Sequence, residues 1–151
     1  MIEKQITLQL IGFYLYQLDS KNRLAIPAKF RQQLISQKEL ILSQGLEGCL
    51  TLYPANSWRA VSTKIESLSI KNKMDQRAFK RMLYASASAL KVDEEGRILM
   101  PNILVEYARI KKDVVIIGLG DQIEIWAKEK WYLYQKKQKN AFTKQASQLQ
   151  I

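Results

Sequence analysis

The sequence predicts an α+β fold in which two copies of one β-hairpin/helix unit close a single pseudo-two-fold barrel with helices around it. Three observations lead there. Leu18-Asp-Ser-Lys-Asn-Arg-Leu-Ala-Ile-Pro27 returns as Val92-Asp-Glu-Glu-Gly-Arg-Ile-Leu-Met-Pro101. Asp19 to Asp93, Arg23 to Arg97 and Pro27 to Pro101 are each separated by 74 positions, and Trp58 to Trp131 by 73. Element order repeats as well: strand, turn, strand, short helix, strand, turn, strand. Fixed-offset similarity of this kind signals internal duplication. Neither unit is long enough to bury an apolar face alone, so packing both into one barrel is the economical solution, and it hides strand edges.

The elements follow in order. Residues 5–18 are rich in Ile, Leu, Phe and Tyr with partial alternation, which predicts a strand. Asp19-Ser-Lys-Asn22 predicts a turn, since Asp and Ser bond the local backbone and Asn tolerates positive φ. Arg23–Ile26 is a short strand. Pro27 suits a helix start, and the helix runs from Ala28 to Ile35 with Phe30 and Leu34 as an i,i+4 pair. Leu40–Ser43 and Cys49–Tyr53 are strands around a Gly45–Gly48 turn. Asn56 is a candidate N-cap for a helix carrying Trp58, Val61, Ile65 and Leu68 at near-helical spacing. Asp75 is a candidate cap for the next helix, with Phe79, Met82 and Leu83 on one face and Arg77, Lys80 and Arg81 on the others. The pattern then restarts: strand Ala89–Val92, turn Asp93–Gly96, strand Arg97–Met100, and a helix from Pro101 to Ala108. Val114–Ile117 and Ile123–Trp126 are strands around Gly118–Asp121. A helix begins near Lys128 with Trp131 on its buried side and runs into a basic, fraying end. The division is a first half over 10–58, a helical connection over 59–87, a second half over 88–131 and a basic segment over 132–151.

Composition narrows the chemistry. The chain has 151 residues, a net charge of +10 and no histidine. Without histidine the commonest general base and transition-metal ligand are missing, so no metal, no cofactor and no enzyme activity are expected. Asp93, Glu94 and Glu95 sit in a turn facing water rather than in a catalytic cluster. The single cysteine, Cys49, allows no internal disulfide and reads as a small apolar strand residue. Gln9 and Gln17 interrupt the apolar start, which reads as a strand and not as a signal peptide, and no run reaches a membrane span. The positive charge favours a polyanion as partner.

The doubled motif admits two roles together. Asp before the turn and Arg after it can form an exposed ion pair that pins a hairpin, an interaction of small energy. The Arg fork can also lean on Asp and present its remaining donors to phosphate or a base edge. The turn position at Asn22 or Gly96 requires positive φ. Lys21 beside Arg23 makes the first turn cationic, whereas Glu94 and Glu95 make the second acidic. If the polyanion is nucleic acid rather than an anionic membrane and binds through these turns, the first turn is the better candidate. Lys29 and Arg31 on the following helix are candidates for phosphate contacts, and Arg97 is a further candidate. Trp58, Trp126 and Trp131 read as core or subunit contacts.

Gly12–Arg31 closely resembles the opening of the bacterial transcriptional regulator family MraZ. Gly45–Pro54, Arg77–Arg81 and Ile123–Trp126 resemble the same family, and the likeness extends over about residues 10–135 in order. The doubled Asp-x-x-x-Arg motif is the family's hallmark. The resemblance implies two fused AbrB-like swapped-hairpin halves forming one double-psi-type barrel. It also implies assembly into homo-oligomeric rings that bind short repeats in double-stranded DNA, in the promoter of the division and cell-wall gene cluster. A cytoplasmic, nucleoid-associated protein follows. Asp19, Arg23, Asp93 and Arg97 carry over by motif position, with Asp19, Asp93 and Gly96 bracing the turns and Arg23, Lys21 and Asn22 nearest DNA. Asn22 stands where the family's first motif has Gly. Met1–Gln9 precede the family's usual start and are expected to lengthen the first strand or to cover a neighbouring subunit. A structural oligomerisation or adaptor protein with incidental basic charge is the alternative reading.

Overall fold

The structure is a computed structural model and describes residues 9–34, 39–67 and 72–151. Ile35, Leu68 and residues 1–8, which entered the expectations above, lie outside the described residues. The elements are β1 (Leu10–Gln17), β2 (Arg23–Ala25), α1 (Ala28–Leu34), β3 (Leu40–Gln44), β4 (Leu50–Pro54), α2 (Ala55–Glu66) and α3 (Lys73–Ser86). After them come β5 (Ser88–Leu90), β6 (Arg97–Leu99), α4 (Asn102–Tyr107), β7 (Asp113–Gly120), β8 (Ile123–Ala127) and α5 (Lys128–Gln148). The class is α+β with antiparallel pairing throughout.

The pairing crosses between the repeats. One sheet has the order β1-β7-β8-β4-β3-β5, and β2 pairs with β6 as a separate ribbon. Exchanging each strand for its counterpart in the other repeat (β1 for β5, β3 for β7, β4 for β8) reproduces the same order reversed. The sheet is thus palindromic about the seam between β8 and β4. Two pairs of equivalent residues sit on this pseudo-dyad: Leu24 opposite Ile98 in the ribbon, and Thr51 opposite Glu124 in the seam.

This differs from two expectations. Asp19–Asn22 and Asp93–Gly96 form turns, but the strands flanking each turn do not ladder with each other. β1 goes to β7 and β2 to β6. The reason is burial: Leu24 and Ile98 are fully buried, and only the crossed ribbon places both against the core formed with Ile26, Phe30, Met100 and Leu104. Each such side chain contributes about 1.5–3 kcal/mol when removed from water. The expected closed barrel is also not formed, because the ladders stop at two edge strands, β1 and β5.

The ribbon continues into reciprocal backbone bonds. Ile26 N–H donates to the Gly96 carbonyl (2.9 Å), and Met100 N–H to the Asn22 carbonyl (2.8 Å). Each repeat's turn is therefore held by the other repeat's strand. The helices after Pro27 and Pro101 start alike, with Phe30 N–H and Leu104 N–H donating to the two proline carbonyls (2.9 and 3.0 Å).

The helix caps correct two further expectations. Asn56 lies inside α2, whose cap position is Pro54. Asn72 caps α3, accepting from Met74 N–H at 2.8 Å, while Asp75 falls within the first turn. An Asn one residue before a helix accepts from the N2 or N3 amide, which an acidic residue already inside it does not do. Phe79 and Met82 on α3 are exposed rather than packed. α5 extends unbroken to Gln148, and none of its residues is fully buried.

Gly118 has a steric role. A Cβ there would lie 2.5 Å from the Leu10 carbonyl carbon and 2.6 Å from Ile11 N. β1 approaches β7 this closely because residue 118 has no side chain, and Gly12 stands opposite it in register. Gly118→Ala is expected to push β1 off β7 and destabilise the fold by about 1–3 kcal/mol. A urea denaturation midpoint unchanged from the parent would refute that packing.

Candidate nucleic-acid interface

The two motif turns have the same internal wiring. In the first, Asp19 Oδ1 accepts from the backbone N–H of Lys21 (2.9 Å) and Arg23 (2.8 Å), while Oδ2 accepts from Arg23 Nε at 2.8 Å. In the second, Asp93 Oδ1 accepts from Glu95 and Arg97 N–H, both at 2.9 Å, and Oδ2 from Arg97 Nε at 3.2 Å. Backbone bonds close each turn: Asn22 N–H to the Asp19 carbonyl (3.1 Å), and Gly96 N–H to the Asp93 carbonyl (3.0 Å). The fourth turn residue has φ 59° at Asn22 and 80° at Gly96. That left-handed position is where Asn or Gly is tolerated.

Donors shift the acid equilibria. The Arg23 backbone N–H is the main reason the Asp19 carboxyl sits below its usual range, and the Arg97 backbone N–H does the same for Asp93. Hydrogen bonds to a carboxylate favour its charged form.

The turns differ in what surrounds the arginines. Arg23 uses only Nε, on Asp19, and its two terminal nitrogens have no partner among the described residues. Arg97 is engaged at all three nitrogens. Its Nε meets Asp93, Nη1 lies 3.9 Å from Asp19 Oδ2, and Nη2 lies 3.2 Å from Glu95 Oε2. Asp19 thus stands between the two guanidinium groups, and both motifs form one charge cluster on one face.

The remaining candidates fall around this cluster in a way the sequence did not indicate. α1 follows the first motif in sequence but lies over the second turn in space. The position a Gly96 Cβ would take is filled by the Arg31 guanidinium. Glycine at 96 therefore serves both the turn's φ and the seat of Arg31. Arg31 joins the neighbourhood of Arg97 rather than that of Arg23. Reciprocally, the Asn22 side-chain amide donates to Asn102 Oδ1 at the start of α4. Asn102 was not singled out from the sequence; its only signal was its position just after the second Pro. Lys21, Lys29 and Arg31 are exposed and have no ion pair among the described residues. An open cleft of about 480 Å³ lies beside the second turn, lined by Ala28, Arg31, Leu34, Lys91, Val92 and Glu94 among others.

Other chemistry is sparse. Among the described residues no group of three or more Cys, Asp or Glu side chains could hold a metal ion, and no helix is long and apolar enough to cross a membrane. Cys49 is fully buried, and that burial pushes its thiol far up, away from the reactive thiolate. Trp126, Trp131 and Tyr134 pack as an aromatic cluster, with ring centroids 5.0–6.0 Å apart, between α5 and β8. Trp58 packs against Tyr53 (tilted) and Tyr84 (edge-on), with ring centroids 5.4 and 6.1 Å away.

A sequence model of the family described as "MraZ protein, putative antitoxin-like" matches twice, over residues 10–82 and 83–150. The chain belongs to the MraZ family. The double match agrees with the internal duplication and with the palindromic sheet. Among its relatives, a protein of Clostridium tetani named "Transcriptional regulator MraZ" is 45% identical over 124 residues, covering 82% of this chain and 85% of that one. A Clostridium acetobutylicum protein of the same name is 41% identical over 143 residues, covering 93% and 99%. One from Caldanaerobacter subterraneus is 41% identical over 140 residues, covering 93% and 96%.

The depressed carboxyls of Asp19 and Asp93 make acid stability a test of the turn wiring. A lowered native pKa contributes stability that is present above the unfolded value, about 3.9, and lost as pH falls through the native one. Asp19→Asn with Asp93→Asn keeps an acceptor for the turn amides but removes the titration. The double variant is expected to lose less stability than the parent on going from about pH 5 to about pH 2. Parallel pH profiles of the denaturation midpoint would rule out these two carboxylates as acid-sensitive contacts.

Proposed function

We propose that this chain is a sequence-specific DNA-binding transcriptional regulator that acts as a homo-oligomeric ring on repeated promoter boxes of the division and cell-wall gene cluster. The observation that carries the reading is the Arg23 fork: anchored through Nε on Asp19, it keeps two terminal nitrogens free above a turn fixed by four hydrogen bonds. An arginine held this way suits bidentate recognition of a base edge or phosphate, because little conformational freedom remains to be lost. Lys21 at the turn tip and Lys29 on α1 add cationic groups for phosphate contacts, and the net charge of +10 draws the chain to a polyanion. The relatives' printed name agrees with regulation of transcription. The crossed strand pairing supports reading the halves as AbrB-like swapped hairpins.

Self-association is part of the proposal. One module offers few phosphate contacts, and several joined modules on repeated boxes multiply affinity through effective concentration. The surface that suits a second copy is the outer face of β1 at the sheet edge. Ile11, Phe13 and Leu15 are 68%, 46% and 50% exposed there, and Leu119, opposite Ile11 in register, is 49% exposed. An apolar edge strand left open is a template for pairing with another chain.

Two measurements test these parts. Arg23→Ala is expected to abolish preference for repeat DNA over scrambled DNA while leaving fold and assembly intact, and parent binding is expected to weaken steeply with salt. Undiminished gel-shift binding by the variant would sink the Arg23 role; stable assemblies without any DNA preference in the parent would favour the structural adaptor instead. Ile11→Asp with Leu15→Asp is expected to lower the sedimenting mass with the circular dichroism spectrum retained. An unchanged mass would place the subunit contact elsewhere.

A further inference from the structure

We propose that Glu95 is an intramolecular guard on Arg97, which keeps the second motif out of DNA contact and gives a nearly two-fold-symmetric module a single polarity on its DNA. The inference rests on the DNA-binding reading above and extends it to how the two motifs divide the work.

The two turns are equivalent in backbone, in their Asp–Arg pair and in their place about the pseudo-dyad. Left at that, Arg23 and Arg97 would present two interchangeable forks on one face, with Asp19 between them. A duplex, itself nearly two-fold symmetric at its backbone, could then be met in either of two orientations related by half a turn. The side chain at position 95 breaks the equivalence. Its counterpart in the first turn is Lys21. Glu95 Oε2 holds Arg97 Nη2 at 3.2 Å, whereas Arg23 has no second carboxylate. Glu95 is itself 73% exposed, so it also projects negative charge toward an approaching phosphate. Arg97 is thus occupied and its approach is electrostatically unfavourable, while Lys21 makes the approach to Arg23 favourable. Exposed pairs are weak and compete readily with solvent. The guard therefore biases the two ends by a modest factor rather than closing one of them.

The test compares six variants of the full chain, four single and two double, on repeat DNA and on scrambled DNA. The adjacent Glu94 is an internal control. It carries the same charge in the same turn, and it forms neither a hydrogen bond nor an ion pair with Arg97. Glu95→Gln is expected to tighten DNA binding by about two- to fivefold. Glu94→Gln should give less than half that gain. The Glu95→Gln gain should vanish in an Arg97→Ala background and persist in an Arg23→Ala background as renewed, less selective binding. Equal gains for both glutamate variants would reduce the effect to net charge and overturn the guard. A gain that survives Arg97→Ala would overturn it as well. If Glu95→Gln binds as the parent does while Arg23→Ala still abolishes selective binding, the guard is wrong and the DNA reading stands. If parent and Arg23→Ala both ignore DNA sequence, the DNA reading fails and the guard falls with it.

Discussion

The crossed ribbon of β2 and β6 is the constraint from which the remaining structure follows. Leu24 and Ile98 face each other at its centre, fully buried, and the amides of Ile26 and Met100 reach the carbonyls of Gly96 and Asn22 just beyond it. A chain that commits its second and sixth strands to each other cannot also close two local hairpins. β1 and β5 must then find partners elsewhere, and they find them on β7 and β3. The palindromic sheet, its two open edges and the seating of α1 over the opposite turn are consequences of that choice.

Within this symmetric frame, side chains rather than backbone carry the differences. Both aspartates satisfy two turn amides and one arginine nitrogen, so each turn is equally well defined. What differs is the supply of further carboxylates and cations. Arg97 is enclosed by Asp93, Asp19 and Glu95, while Arg23 answers to Asp19 alone. Duplication thus supplied a rigid platform in two copies, and a few exposed substitutions were enough to make the copies unlike. Exposed positions tolerate such change at small cost in stability.

The sequence disclosed the parts whose signals are local. Turn residues Asp19, Asn22, Asp93 and Gly96, helix starts after Pro27 and Pro101, and apolar positions such as Phe30 and Leu34 all report on a few neighbours in the chain. The meeting of Asp19 with Arg23 is also local, since four positions across a turn bring the groups together. Strand partners are not local. The Leu18–Pro27 stretch reads equally well as a hairpin and as a turn into a strand that departs for a distant partner, because the turn chemistry is the same. For that reason the sequence predicts a closed barrel where the structure has an open-edged sheet, and it does not disclose that Arg31 sits over the second turn. The caps differ for another reason: Asn56 and Asp75 are suitable residue types, but the cap position of α2 is Pro54, two residues before Asn56, and Asn72 precedes α3 directly. On α3, the apolar spacing of Phe79 and Met82 was legible and their exposure was not, because periodicity marks a face without saying what lies against it.

The pairing of β1 with β7 has a consequence for synthesis. Leu10 lies opposite Gly120, so the first strand leaves the ribosome long before its partner exists. At about 5–20 residues per second, that interval lasts from about 6 to about 20 seconds. Throughout it the row of β1 amides and carbonyls that β7 will take remains unpaired in the nascent chain. Strands closed by distant contacts form late, since loop-closure entropy is lost before any contact offsets it. Until then the first strand depends on staying apart from other extended segments, its own copies on neighbouring nascent chains included.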